Sequence, residues 1–172
     1  KGLHPALRRF TRFTYQISKN QTRTVWVLKG DIRKFFANIN QHILKTILAQ
    51  YIPDKNIHWL LNCIIDSFST NSGVGLPLGN LTSQLLANVY MNPFDQWLKH
   101  TLKAKHYIRY ADDFVLLSED KDWLISLVSQ IQRFLKSELK LQLHPSKVFL
   151  KTIARGVDFL GWLHFRDPRV VR

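Results

Sequence analysis

The stretch Tyr110-Ala111-Asp112-Asp113 constrains this chain more than any other. It lies between two β-prone runs, His106-Tyr107-Ile108-Arg109 and Phe114-Val115-Leu116-Leu117. A short polar break between such runs predicts a tight β-hairpin, and Asp is a good turn residue. Taken alone, the stretch reads equally well as a solvated turn or as a functional element. Two adjacent carboxylates repel, and at least one rises in pKa unless a cation sits between them. A functional hairpin therefore needs a further acid and a polyanionic partner, and the rest of the chain has to supply both.

The partner is suggested by charge. The chain has 172 residues and a net charge of +13, an excess that favours nucleic acid or an anionic membrane surface. Residues 1–24 hold Lys1, Arg8, Arg9, Arg12, Lys19 and Arg23 and no acid. Arg8, Arg9 and Arg12 interleave with Phe10, Phe13 and Tyr15, which suits phosphate and base contact, although a solvated helix face has the same pattern. No apolar run reaches the roughly 18 residues of a membrane span, and no apolar signal core is present at the start. No membrane partner and a cytoplasmic setting are the expectation. The single Cys63 excludes an intramolecular disulfide, cannot build a zinc site alone, and reads as a buried apolar cysteine. A hydrophobic content of 45% suits one folded domain with a real core.

Patterning then orders the elements. Residues Thr24 to Ile32 read as a largely buried strand whose far end delivers Asp31. Asn40 is a plausible cap for a helix carrying Ile43, Leu44, Ile47 and Leu48. Pro53-Asp54 starts a second helix in which Ile57, Leu60, Leu61, Ile64, Ile65 and Phe68 follow the 3.6 period as core scaffold. Residues 69–80 form a Gly- and Ser-rich loop, followed by a helix through Leu81, Leu85, Leu86 and Val89 that restarts at Pro93. Beyond the hairpin, Asp120 to Leu139 reads as a helix, and 141–143, 148–153 and 157–165 as short strands. Strand, helices, hairpin, helix, strands is the split β-α-β-β-α-β plan: an α+β, ferredoxin-like sheet backed by helices on one face. In that plan the first strand adjoins the hairpin, so Asp31 lies close to Asp112 and Asp113. Three acids at one sheet end of a basic protein suggest two divalent ions that clamp the attacking and leaving oxygens of a phosphoryl displacement. Mg²⁺, which Mn²⁺ can replace, needs few carboxylates and fills its shell with water and phosphate oxygens. A nuclease and a polymerase both fit such a site.

Five segments, in order, resemble the successive motifs of reverse transcriptases. They are Asp31-Ile32-Arg33-Lys34-Phe35-Phe36, the loop and helix start from Gly75 to Gln84, Tyr110-Ala111-Asp112-Asp113, Pro145-Ser146-Lys147, and Phe159-Leu160-Gly161-Trp162. The resemblance implies a polymerase palm over residues 25–172, with a primer-grip hairpin near 157–165 and a basic segment 1–24 at the base of the fingers. It implies RNA-templated DNA polymerisation from deoxynucleoside triphosphates onto a DNA or RNA primer, with an accessory protein left open. Asp31, Asp112 and Asp113 would be the catalytic and metal-binding acids, with the Ile32 carbonyl as a further ligand. Lys34 and Phe35 amides would cradle phosphate, and Phe36 would gate against a ribose 2′-hydroxyl. Leu78, Gly79 and Gln84 would shape the nucleotide pocket. Lys147 would protonate pyrophosphate, while Tyr110, Ala111, Leu160, Gly161 and Trp162 would touch the primer duplex.

Two departures qualify the resemblance. Where the commoner pocket loop has Gln and a helix-starting Pro, this chain has Leu78 and Gln84. That variant resembles reverse transcriptases of error-prone diversity-generating retroelements, alongside those of group II introns. In addition, complete finger and thumb regions are not recognisable, so a palm fragment is expected, with a non-catalytic nucleic-acid-binding palm as the alternative to an active polymerase.

Overall fold

The computed structural model describes residues 2–20, 22–68, 73–77 and 79–165, and the backbone of 169–171. Four strands make an antiparallel sheet in the order β2-β3-β1-β4: β1 Trp26–Gly30, β2 Tyr107–Tyr110, β3 Asp113–Ser118 and β4 Phe149–Thr152. Read from the other edge this is 4-1-3-2, the order of the split β-α-β-β-α-β plan. β1 is shorter than its apolar run suggests, and Ile32 makes only an isolated bridge to Leu143. That bridge is all that forms of the strand expected over 141–143.

Alternation along the central strands builds two cores. Leu28, Phe114 and Leu116 face a layer of helices: α2 (Gln41–Tyr51), α4 (Leu81–Tyr90), α5 (Asn92–Gln96) and α6 (Lys121–Glu138). Val27, Val115 and Leu117 face the opposite way, onto α1 (Leu3–Ile17) and a second sheet ordered β5-β6-β7. That sheet comprises β5 (Val157–Phe159), β6 (Trp162–His164) and β7 (Arg169–Val171). Helices on one face alone were expected. The correction follows from β1 itself, where the successive residues Val27 and Leu28 are both buried, so apolar side chains leave the strand on both sides and two layers must cover them. The basic N-terminal segment supplies one of those layers through Leu7, Phe10 and Ile17.

Local signals predict the helix starts well. The Asn40 side chain accepts from the Ile43 amide at 3.0 Å, Asp54 from those of Asn56 and Ile57 at 2.8 and 3.1 Å, and Asp120 from that of Trp123 at 2.9 Å. Each satisfies amides that the helix cannot. Pro93 opens α5, where its missing N–H matters least.

Helix α3 (Lys55–Asp66) overturns one reading. Of its residues only Ile65 is buried; Leu60 is 53% exposed and Trp59 68%, and Cys63 is exposed rather than buried. Helical periodicity shows that a stripe is apolar but not what covers it. Among the described residues, no helix is long and apolar enough to cross a membrane.

Candidate active site: two acids in a cleft and a third behind it

β1 ends at Gly30, a position that takes no side chain because a Cβ there would lie 2.3 Å from the Phe114 ring. The chain then emerges as Asp31, whose carbonyl accepts from the His144 amide at 2.8 Å, while the Arg33 amide donates to Gln142 at 2.9 Å. These bonds hold the Asp31 corner against the segment carrying Lys147. From β2 and β3, Tyr110 and Asp113 form the closing pair of the hairpin, leaving Ala111 and Asp112 as its two-residue turn. Ala111 has φ +52°, a left-handed conformation costing roughly 1 kcal/mol in a non-glycine residue.

The turn is braced from within. Arg109 Nη1 donates to the Ala111 carbonyl at 2.9 Å, and its Nε and Nη2 grip Asp95 of α5 at 2.9 and 2.7 Å. The Tyr107 hydroxyl donates to the same carboxylate at 2.7 Å. Burial works against charge on Arg109, but Asp95 outweighs it and the guanidinium pKa rises. Burial, and then Asp95, push Tyr107 well above the ordinary phenol value.

A cleft of about 470 Å³ opens between the Asp31 corner and the turn, lined by Asp31, Ile32, Arg33, Lys34, Phe35, Phe36, Ala37, Asp112, His144 and Lys147. Lys147 Nζ lies 3.1 Å from Asp31 Oδ2, and this bond raises the pKa of the exposed ammonium. Burial raises the Asp112 carboxyl, and the Asp31 charge adds to the rise. The backbone at Lys34 is left-handed, φ +45°, while Phe35 is buried and Phe36 half-buried edge-on to it, with ring centroids 5.3 Å apart.

Asp113 sits differently. As a strand residue it shares a face with Val115 and Leu117, away from the cleft, because successive side chains of a strand point to opposite sides. Its Oδ2 pairs with Lys29 at 3.0 Å, and its buried Oδ1 has no hydrogen-bond partner among the described residues. Burial pushes this carboxyl up to about 6, against the pull of Lys29. The sequence grouping of three acids therefore divides into Asp31 and Asp112 on the cleft and Asp113 behind it.

Asp31, Asp112 and the backbone of Ile32 offer hard oxygens, the donor class that Mg²⁺ takes. Beyond burial, the Asp31 charge adds to the rise in Asp112, and a cation between the two carboxylates would relieve that part. Among the described residues no three acid, histidine or cysteine side chains are grouped as a metal cage, so the remaining positions would fall to water and phosphate oxygens.

The other sequence candidates scatter. Gly79 (φ +89°) and Gln84 on α4 are exposed and do not line the cleft, and Leu78 lies outside the described residues. Tyr110 is exposed and Ala111 half-buried at the turn. Leu160 and Gly161 form the β5–β6 turn with left-handed backbones, followed by a half-buried Trp162. Sequence reading missed Lys29, Asp95, Arg109 and His144. Lys29 had a signal: a charged residue in a buried strand requires a partner.

Comparison with known proteins bears on the fold and the family. "Protein YkfC" of Escherichia coli (strain K12) is 27% identical over 179 residues, covering 82% of this chain and 47% of that protein. "Group II intron-encoded protein LtrA" of Lactococcus lactis subsp. cremoris is 22% identical over 220 residues, covering 86% and 35%. The chain thus spans less than half the length of these relatives. A solved structure of apo telomerase from Candida Tropicalis truncated from its C-terminal domain superposes with a TM-score of 0.76 at 15% identity, over 100% of this chain and 40% of that one, a likeness of fold. The family model described as "Reverse transcriptase (RNA-dependent DNA polymerase)" matches residues 3–164, and this chain belongs to that reverse transcriptase family.

Proposed function

We propose that this chain carries the nucleotidyl-transfer centre of an RNA-templated DNA polymerase. The supporting observation is that Asp31, Asp112, Phe36 and Lys147 line one cleft in a chain of the reverse transcriptase family. Two divalent ions bound there, Mg²⁺ by donor class, would activate the primer 3′-hydroxyl and hold the triphosphate oxygens.

The protein groups do the rest. Asp31 and Asp112, with the Ile32 carbonyl, supply the oxygens that face those ions, and Asp113 adds negative charge behind them. The left-handed Lys34 backbone turns the chain sharply beside the cleft, so the amides of Lys34 and Phe35 are the donors for phosphate oxygens. The Phe36 ring narrows the wall where a 2′-hydroxyl would lie. Lys147, held at Asp31, is the proton source for the departing pyrophosphate. The β5–β6 hairpin, with Leu160, Gly161 and Trp162, receives the primer end, and the net charge of +13 favours the template–primer duplex.

Primer extension on an RNA template with deoxynucleotides and Mg²⁺ tests this reading. Asp112→Asn should lower extension by roughly a thousandfold, the several kcal/mol that metal-held charge stabilisation supplies. Phe36→Ala should lower discrimination against ribonucleotides by at least roughly tenfold. Extension that survives Asp112→Asn overturns the site. Duplex binding without extension by the parent favours the binding palm.

A further inference from the structure

The acidic turn and the β5–β6 hairpin are far apart in sequence, yet one side chain joins them. Lys29 Nζ donates to the Asp158 carbonyl of β5 at 2.9 Å and pairs with Asp113 Oδ2 at 3.0 Å. It also lies 6.0 Å from the centroid of the Phe159 ring. The Lys29 side chain is only 14% exposed and that of Asp113 19%. Register explains the meeting. Lys29 is paired across the sheet with Val115, so Asp113, two residues along β3, is its diagonal neighbour on the same face.

A buried ion pair is a poor way to stabilise a fold, since apolar residues of similar volume often serve as well or better. The surroundings here are apolar, with Phe10, Val27, Val115 and Phe159 in the same cluster. Such pairs are best attested where they fix one element relative to another. Lys29 does this at the point where the hairpin meets the turn. The hairpin backbone bends through two left-handed residues at 160 and 161, so its placement depends on what grips its first strand.

We propose that Lys29 is a positioning residue. It is a strut that fixes the β5–β6 hairpin to the acidic turn, with Asp113 serving as its anchor rather than as a metal ligand. The strut concerns the fold; its use, setting a primer end on the hairpin at a fixed distance from Asp31 and Asp112, rests on the polymerase reading above.

Amide hydrogen exchange and Mn²⁺ binding on the full chain test it without requiring activity. Lys29→Met should speed exchange across 157–164 by about tenfold or more, the loss of one charge-assisted hydrogen bond, while exchange in α6 stays unchanged and reports an intact fold. Lys29→Gln, which retains a donor on a shorter stem, should shift exchange in the same direction and serves if the Met variant fails to fold. In spin-resonance titrations Asp113→Asn should hold the Mn²⁺ dissociation constant within about threefold, while Asp112→Asn weakens it by about tenfold or more. Hairpin exchange unchanged in both Lys29 variants overturns the strut. Mn²⁺ binding that falls as far in Asp113→Asn as in Asp112→Asn makes Asp113 a ligand through its Oδ1 and overturns the anchor role. In primer extension normalised to the concentration of active sites by burst titration, Lys29→Met should lower kcat about tenfold with the deoxynucleotide KM within about threefold, a loss that a smaller folded fraction, which changes the active-site count alone, does not reproduce. A parent chain that extends nothing overturns the polymerase reading and the use assigned to the strut, while exchange and Mn²⁺ binding still decide the strut itself.

Discussion

Burial and the two neighbouring acids hold Asp113 with a pKa of about 6, against the opposing pull of Lys29, whereas an unfolded aspartate titrates near ~3.9. Between roughly pH 4 and 6 the folded protein therefore keeps a proton that the unfolded chain has released. The sign follows: Asp113 favours folding at low pH, and that contribution is lost as pH rises through about 6. Asp113→Asn removes the titration. In metal-free buffer, the melting temperature of the parent relative to the variant should rise as pH falls from 7 to 5. The effect is on the order of 1 kcal/mol, or roughly 2–5 °C. A difference that stays flat across that range overturns the assignment. Burial raises Asp112, its neighbour, as well, but Asp112 belongs to the turn and lines the cleft instead of pairing with Lys29.

The hairpin as an element depends on Arg109 and Asp95. Both arms of the guanidinium are engaged, and its side chain is 6% exposed against 17% for Asp95. Asp95→Ala would leave a buried cation uncompensated and should cost about 3–5 kcal/mol in urea unfolding. Arg109→Lys should also destabilise the fold, because a lysine cannot span both carboxylate oxygens and the Ala111 carbonyl. The exposed pair Arg23–Glu119 is the internal control, and Glu119→Ala should cost under about 1 kcal/mol. Equal costs at the two pairs would show that the brace is no more than a surface contact. None of this brace was legible in the sequence, because Asp95 precedes Arg109 by 14 residues and only the folded packing of α5 on the sheet joins them. The hairpin itself, the cap at Asn40 and the helix starts at Asp54 and Asp120 were legible, since each depends on residues a few positions apart. The core reading of α3 failed for the opposite reason: its apolar stripe is local, while its covering is not. The split of the three acids was not read from the sequence, because it depends on where the turn ends and β3 begins, between Asp112 and Asp113.

Across the whole molecule, α1 determines how charge is presented. It turns Leu7, Phe10 and Ile17 inward and leaves Arg8, Arg9 and Arg12 exposed. Phe10 stacks on Phe159 of β5 with centroids 5.5 Å apart and lies tilted against His164 of β6 at 4.4 Å, so the helix borders the hairpin proposed to hold the primer end. A duplex lying on that hairpin passes these arginines, and their contribution is electrostatic and independent of sequence. Replacing all three with Gln should weaken template–primer binding at low salt and flatten the slope of log affinity against log salt. Each lost phosphate contact reduces that slope by roughly 0.7–0.9, so three contacts reduce it by about 2 to 3. The melting temperature should hardly move, because exposed charges contribute little to stability, the Arg12 contact over the Phe13 ring included. Fluorescence anisotropy with a labelled RNA–DNA duplex across a salt series checks this. An unchanged slope would place the duplex away from α1, and the helix would then serve only to cover the back of the sheet.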